Sequence, residues 1–221
     1  ADGSAAGAPF LVNVNITGGQ FFSNVTALSD GKFSVVFSHS LSATDMDMYV
    51  RTYNTNGTAL TSQLRLNQYT SAIQHNGAIA GGTDGKALAV WQSQNQDGSG
   101  YGIYGRLILA NGTLGAAEFQ INSYTANNQA APSVTALTGG GYVVVWHSVD
   151  QDGSSTGIFA QRLNAAGAKV GGEFQGNSYI ADTQGSPSAT ALADGGWLIA
   201  WQSDGQDGSG LGVYAQRFDA N

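Results

Sequence analysis

DGGWLIAWQSDGQDGSGLGVYAQRFDA runs from Asp194 to Ala220 near the end of the chain. A glycine turn opens it, and an apolar run follows that ends in an aromatic residue, Trp201. A polar, Gly-rich loop then leads into a second β-prone run, Val213 to Phe218. The pattern occurs three more times upstream. Its terminal aromatics are Phe37, Trp91, Trp146 and Trp201, at intervals of 54, 55 and 55 residues. Gln20, Gln74, Gln129 and Gln184 keep the same step, as do Asn13, Asn67, Asn122 and Asn177. A constant period of this length is the signature of a solenoid, a propeller or an array of stacked units.

Within the third copy, β-rich runs fall at Val134 to Leu137, Tyr142 to His147, Ile158 to Leu163 and around Glu173 to Asn177, separated by glycine-containing turns. Asn56-Gly57 and Asn111-Gly112 mark the last turn in copies one and two, the dipeptide favoured in two-residue hairpins. Each copy therefore reads as a four-stranded antiparallel meander. Such a meander cannot bury both faces alone, and radial repetition gives a β-propeller. The fourth copy stops after its third strand, while Phe10-Leu11-Val12-Asn13 matches the Phe-x-x-Asn that ends a fourth strand. The expected fold is all-β: a single domain over 1–221, a four-bladed propeller of about 55 residues per blade. Its blades span roughly 20–67, 74–122, 129–177 and 184–221 plus 7–13, the N-terminal strand completing the last blade and closing the ring. An open array or a sandwich of four sheets is the alternative.

Composition narrows the function classes. The chain is 42% hydrophobic and only 10% charged, enough for a sizeable core. Eight basic residues stand against fifteen acidic ones, a net charge of −7 with no Lys/Arg cluster, so nucleic acid and anionic membrane surfaces are poor partners. No apolar run approaches the length of a membrane span, and without cysteine there is no disulfide or thiol chemistry. Ala1 to Pro9 carries neither a basic nor an apolar signal region and reads as a mature end or a cut domain edge.

In a propeller the loop between strands two and three and the link to the next blade emerge on one face. That face would gather the Gln-Asp-Gly-Ser loops, the Trp residues before them, and the linkers bearing Tyr69, Tyr124 and Tyr179. The loop oxygens Asn95, Asp97, Asp150, Asp152 and Asp207 suit a hard cation, with Ca2+ the cofactor implied. The competing reading is an Asx turn in which Asp caps backbone N–H groups and Gly supplies positive φ. A glycan could stack on Trp91, Trp146, Trp201, Tyr124 and Tyr179 and bond to Gln20, Gln74, Gln129 and Gln184. Against that, a large aromatic ending each second strand suits packing between blades, and the Asn/Gln pairs seven residues apart suit latching of the linker backbone.

Catalytic signals are sparse: His39, His75 and His147 occupy non-equivalent repeat positions, and no nucleophile elbow, zinc motif or phosphate loop occurs. Sialidase Asp-boxes resemble the loops only loosely, with Ser, Asp, Gly and an aromatic at different spacing. The full string from Asp194 to Ala220 resembles the tandem repeats of large bacterial extracellular proteins, often type I-secreted with RTX or adhesin-like modules elsewhere in the chain. That resemblance covers residues 7–221, and is weakest in copy one, where Phe37 replaces Trp and the Gln-Asp-Gly-Ser loop is lost. It implies a secreted module at the bacterial cell surface that is not an enzyme. The resulting expectation is a non-enzymatic module that recognises a glycan or a cell-surface or matrix partner, with self-association a further possibility. The alternative is a purely structural, self-assembling repeat unit.

Overall fold

The computed structural model describes residues 3–220; residues 1, 2 and 221, the outermost of the domain expected over 1–221, lie outside the described residues. The chain is all-β and forms four separate antiparallel sheets in sequence order. Sheet one holds β1 (Gly19–Ala27), β2 (Phe33–Ser42), β3 (Asp45–Tyr53) and β4 (Leu64–Arg65). Sheet two holds β5 (Gln74–Gly81), β6 (Ala87–Gln94), β7 (Tyr101–Ile108) and β8 (Phe119–Gln120). Sheet three holds β9 (Gln129–Ala136), β10 (Tyr142–Val149), β11 (Thr156–Leu163) and β12 (Lys169–Gln175). Sheet four has three strands: β13 (Gln184–Ala191), β14 (Trp197–Asp204) and β15 (Leu211–Phe218). Each is a simple meander, because glycine-bearing turns of a few residues can only return the chain to an adjacent antiparallel strand.

Strands that open the sheets lie side by side: β1 packs on β5, β5 on β9 and β9 on β13. Direct bonds join them, among them Gly81 N–H to Thr26 Oγ1 at 2.9 Å and Ala191 N–H to Thr135 Oγ1 at 3.2 Å. The hydrophobic core is divided into layers between consecutive sheets. Val36, Met48 and Val50 of sheet one meet Ala89, Trp91 and Ile108 of sheet two. Val90 and Ile103 of sheet two meet Val144 and Trp146 of sheet three. Val145 and Ile158 of sheet three meet Ile199 and Trp201 of sheet four. The repeated Trp is thus the side chain that fills the layer toward the preceding sheet, burying one of the largest apolar surfaces available to a residue.

The expected ring closure is not what the chain does. Residues 7–13 form no strand and pair with no part of β15, so among the described residues sheet four keeps three strands, no sheet is closed, and a four-bladed propeller is not established. The cause is visible in the hydrogen bonds: the N-terminal segment is held by sheet one. Val12 O accepts from Arg51 Nη1 at 2.9 Å and from the Tyr53 hydroxyl at 3.3 Å, Val14 N–H donates to Gln63 Oε1, and the Phe10 ring lies 5.2 Å from that of Tyr53.

Candidate functional site

The linkers between sheets are held by side-chain amides. Asn67 Nδ2 donates to Tyr69 O and to Gln74 Oε1, and Gln74 Nε2 donates to Ser71 O. Asn122 with Gln129 and Asn177 with Gln184 repeat the arrangement, including bonds to the carbonyls of Tyr124 and Tyr179. Asn13 and Gln20 repeat it in a more open setting. Gln74, Gln129 and Gln184 are fully buried, as are Trp91 and Trp146, while Trp201 is nearly so and Tyr124 and Tyr179 are half-buried.

In the polar loops, Asp97, Asp152 and Asp207 accept from the N–H of Ser99, Ser154 and Ser209 at 3.2, 3.2 and 3.1 Å. The other carboxylate oxygen of Asp97 faces the amides of Gln120 and Asn122, and that of Asp152 faces Gln175 Nε2 at 3.1 Å. Asn95, Asp150 and Gly205 occupy one equivalent position with φ of 61°, 59° and 68°. The left-handed backbone there explains why only Asn, Asp and Gly alternate at it. Among the described residues no group of three or more His, Cys, Asp or Glu could hold a metal ion.

Two residues that sequence reasoning passed over hold the loop face together. Glu118 accepts from the N–H groups of Gln68 and Tyr69 and from Gln96 Nε2, all at 2.8 Å. Glu173 does the same for Ser123 N–H and Gln151 Nε2. Their 55-residue separation was the available signal.

The four first strands converge on a depression of about 400 Å³ lined by Phe22, Ser23, Asn24, Asn76, Gly77, Ala78, Ala131, Pro132, Ser186 and Pro187. Each strand carries a β-bulge there, and the bulged residue is Phe22, Asn76, Ala131 or Ser186, with φ between 52° and 53°. Non-glycine residues in that region store strain, and bulges re-aim side chains. Phe22 remains 53% exposed, its ring 5.7 Å from His75. Gln92 ties the wall together: Oε1 accepts from Asn76 Nδ2 and from Ala131 N–H, and Nε2 lies 2.7 Å from His75 Nε2. Burial holds the His75 pKa below the ordinary imidazole value, so the ring is neutral at neutral pH. No Asp or Glu is among the lining residues. The site therefore offers an exposed aromatic face, amides and hydroxyls, with His75 packed behind the Phe22 ring, groups able to stack on and hydrogen-bond a polar, uncharged ligand.

No protein-family model matches the chain, and no curated protein matches it in sequence. Solved structures do match its fold. An endo-arabinase from Bacteroides thetaiotaomicron aligns at a TM-score of 0.55 with 16% identity over 94% of this chain and 78% of its own. A GH43_1 enzyme from Xanthomonas citri aligns at 0.56 with 13% identity over 89% and 70%. The GH93 α-L-arabinofuranosidase of Fusarium graminearum aligns at 0.55 with 12% identity over 91% and 63%. The likeness is one of fold: propeller-like and all-β, resembling five-bladed glycosidases. These three matches are glycoside hydrolases, a finding that counts against the expectation of a non-enzymatic module and of a purely structural unit, while the likeness itself is one of fold.

Proposed function

We propose that this chain is a carbohydrate-processing domain whose sugar site is the central depression. The observation that carries the reading is the convergence of four strained bulges on an exposed Phe22 ring flanked by Asn24, Asn76, Ser23 and Ser186. A pyranose or furanose ring presents an apolar face that stacks on an aromatic and equatorial hydroxyls that need amide and hydroxyl partners. The carbohydrate enzymes sharing the fold support the assignment. Low charge around the depression favours neutral over acidic sugars, since no cation lines it to pair with a carboxylate.

His75 packs behind the Phe22 ring of this wall and is held there by Gln92. Gln92 Nε2 donates to the Nε2 of neutral His75, which leaves the ring proton on Nδ1 as a hydrogen-bond donor and fixes the ring beside Phe22. The test is reducing-end release from arabino- and xylo-oligosaccharides, read beside direct binding of the same sugars. Wild type should bind and turn over at least one neutral oligosaccharide, Phe22→Ala should lower affinity by up to about 10-fold given the size of a stacking contact, and His75→Gln, which removes the ring packed on Phe22, should lower affinity by less. Absence of both binding and turnover across the panel would overturn the reading.

A further inference from the structure

The two outer faces of the array are the faces that, everywhere inside it, cover one another. On sheet four, Val213 occupies the position of Met48, Ile103 and Ile158; those three are 0% exposed and Val213 is 81% exposed. On sheet one, Val25 stands where Ile79 stands on sheet two; Ile79 is 6% exposed and Val25 61%. Phe37 stands in the Trp position, and beside it a hollow of about 380 Å³ is lined by Val12, Phe21, Phe22 and Val35. In the inner layers this volume belongs to the preceding sheet.

The N-terminal segment already sits as a fourth strand sits against the sheet that follows it. Arg51 Nη1 bonds Val12 O as Arg106 Nη1 bonds Leu66 O, at 2.9 and 3.0 Å. Phe10 meets Tyr53 as Phe174 meets Phe218, with ring centroids 5.2 and 5.8 Å apart. Among the described residues, residues 10–13 have no sheet to complete and sheet four has no fourth strand. The missing bond can be named. Asn67, Asn122 and Asn177 each accept through Oδ1 from the N–H of Met48, Ile103 and Ile158 at 2.8, 2.8 and 2.7 Å. Asn13 is the equivalent acceptor and Val213 N–H the equivalent donor.

We propose that a second copy of this chain docks here: residues 10–13 of one copy add to β15 of the other as its fourth strand, and sheet one of the first closes over sheet four of the second. The register follows from β7 and β8, where Tyr104 pairs with Gln120 and Gly105 with Phe119; Leu11 opposes Tyr214 and Phe10 opposes Ala215. Strand addition supplies main-chain bonds while the side-chain layer supplies apolar burial. Donor and acceptor lie on different surfaces, so the contact is heterologous.

Sedimentation of the purified chain from low to high micromolar concentration tests this. Wild type should associate as concentration rises. Val213→Glu, a charge placed at a position exposed in the single chain, should stay monomeric with an unchanged far-UV spectrum, as should Val12→Pro, which removes the N–H equivalent to those of Leu66, Ile121 and Gly176 that donate to Met48 O, Ile103 O and Ile158 O. The decisive sample is their mixture: the first retains a working donor segment and the second a working edge, so a one-to-one dimer that grows no further should form. Wild type monomeric at every concentration would overturn the proposal, as would a mixture that stays monomeric. Concentration-independent protection of the Val213 amide from exchange would show closure within one chain and overturn it as well.

Discussion

At the scale of single residues, backbone conformation decides identities that chemistry alone leaves unexplained. The position shared by Asn95, Asp150 and Gly205 reads from the sequence as a run of cation-ligating oxygens broken by a glycine. The φ values near 60° give a simpler rule: this corner must be left-handed, and Asn, Asp and Gly are the residues that tolerate it. Asp150→Gly should leave stability within a few tenths of a kcal/mol, whereas Asp150→Ala should cost about 1 kcal/mol; urea unfolding of the pair checks the order. The bulge residues were illegible for the same reason in reverse. Phe22, Asn76, Ala131 and Ser186 share a backbone state and no side-chain type, so nothing in the letters marks them as equivalent.

Individual elements were the most readable level, and the third copy shows how far that went. Runs placed at Tyr142 to His147 and Ile158 to Leu163 became β10 and β11, each extended by two residues because ladder pairing continues into Ser148 and Val149 opposite Gly157 and Thr156. The loop between them is a stop for that ladder. Asp152 there accepts from Ser154 N–H on one oxygen and Gln175 on the other, and Asp97 in sheet two likewise from Ser99 N–H and from Gln120 and Asn122. Asp97→Ala should therefore lower the melting temperature equally in excess calcium and in chelator, by the equivalent of about 1 kcal/mol for the lost hydrogen bonds. A loss confined to the calcium sample would instead identify a bound cation. Glu118 and Glu173 show what element-level reading misses: each brackets a neighbouring linker.

For the molecule as a whole, the sequence period led to four stacked meanders, and the closing of the ring was the step that failed. The match of Phe10 to Asn13 with a fourth strand was real, yet likeness of residues cannot say which sheet a segment will join. Arg51 and Tyr53 make that choice in favour of sheet one. Global pH dependence is also a whole-chain property. His75 and His147 both have pKa values lowered by burial. The unfolded chain thus binds protons that the folded chain does not as pH falls through the ordinary imidazole value of 6.5, so stability is full above it and declines below. Unfolding free energy measured from pH 7.5 down to 5.5 should fall, and the double variant His75→Gln with His147→Gln should flatten that slope. The amide latch carries a last consequence, for ancestry. Every junction is fastened by an Asn and a Gln seven residues apart, so excising residues 74–128 would bring Asn67 to Gln129 with the same seven-residue reach and the fastening intact. A gene built this way can gain or lose whole units by unequal recombination without any new residue having to be selected at the seam.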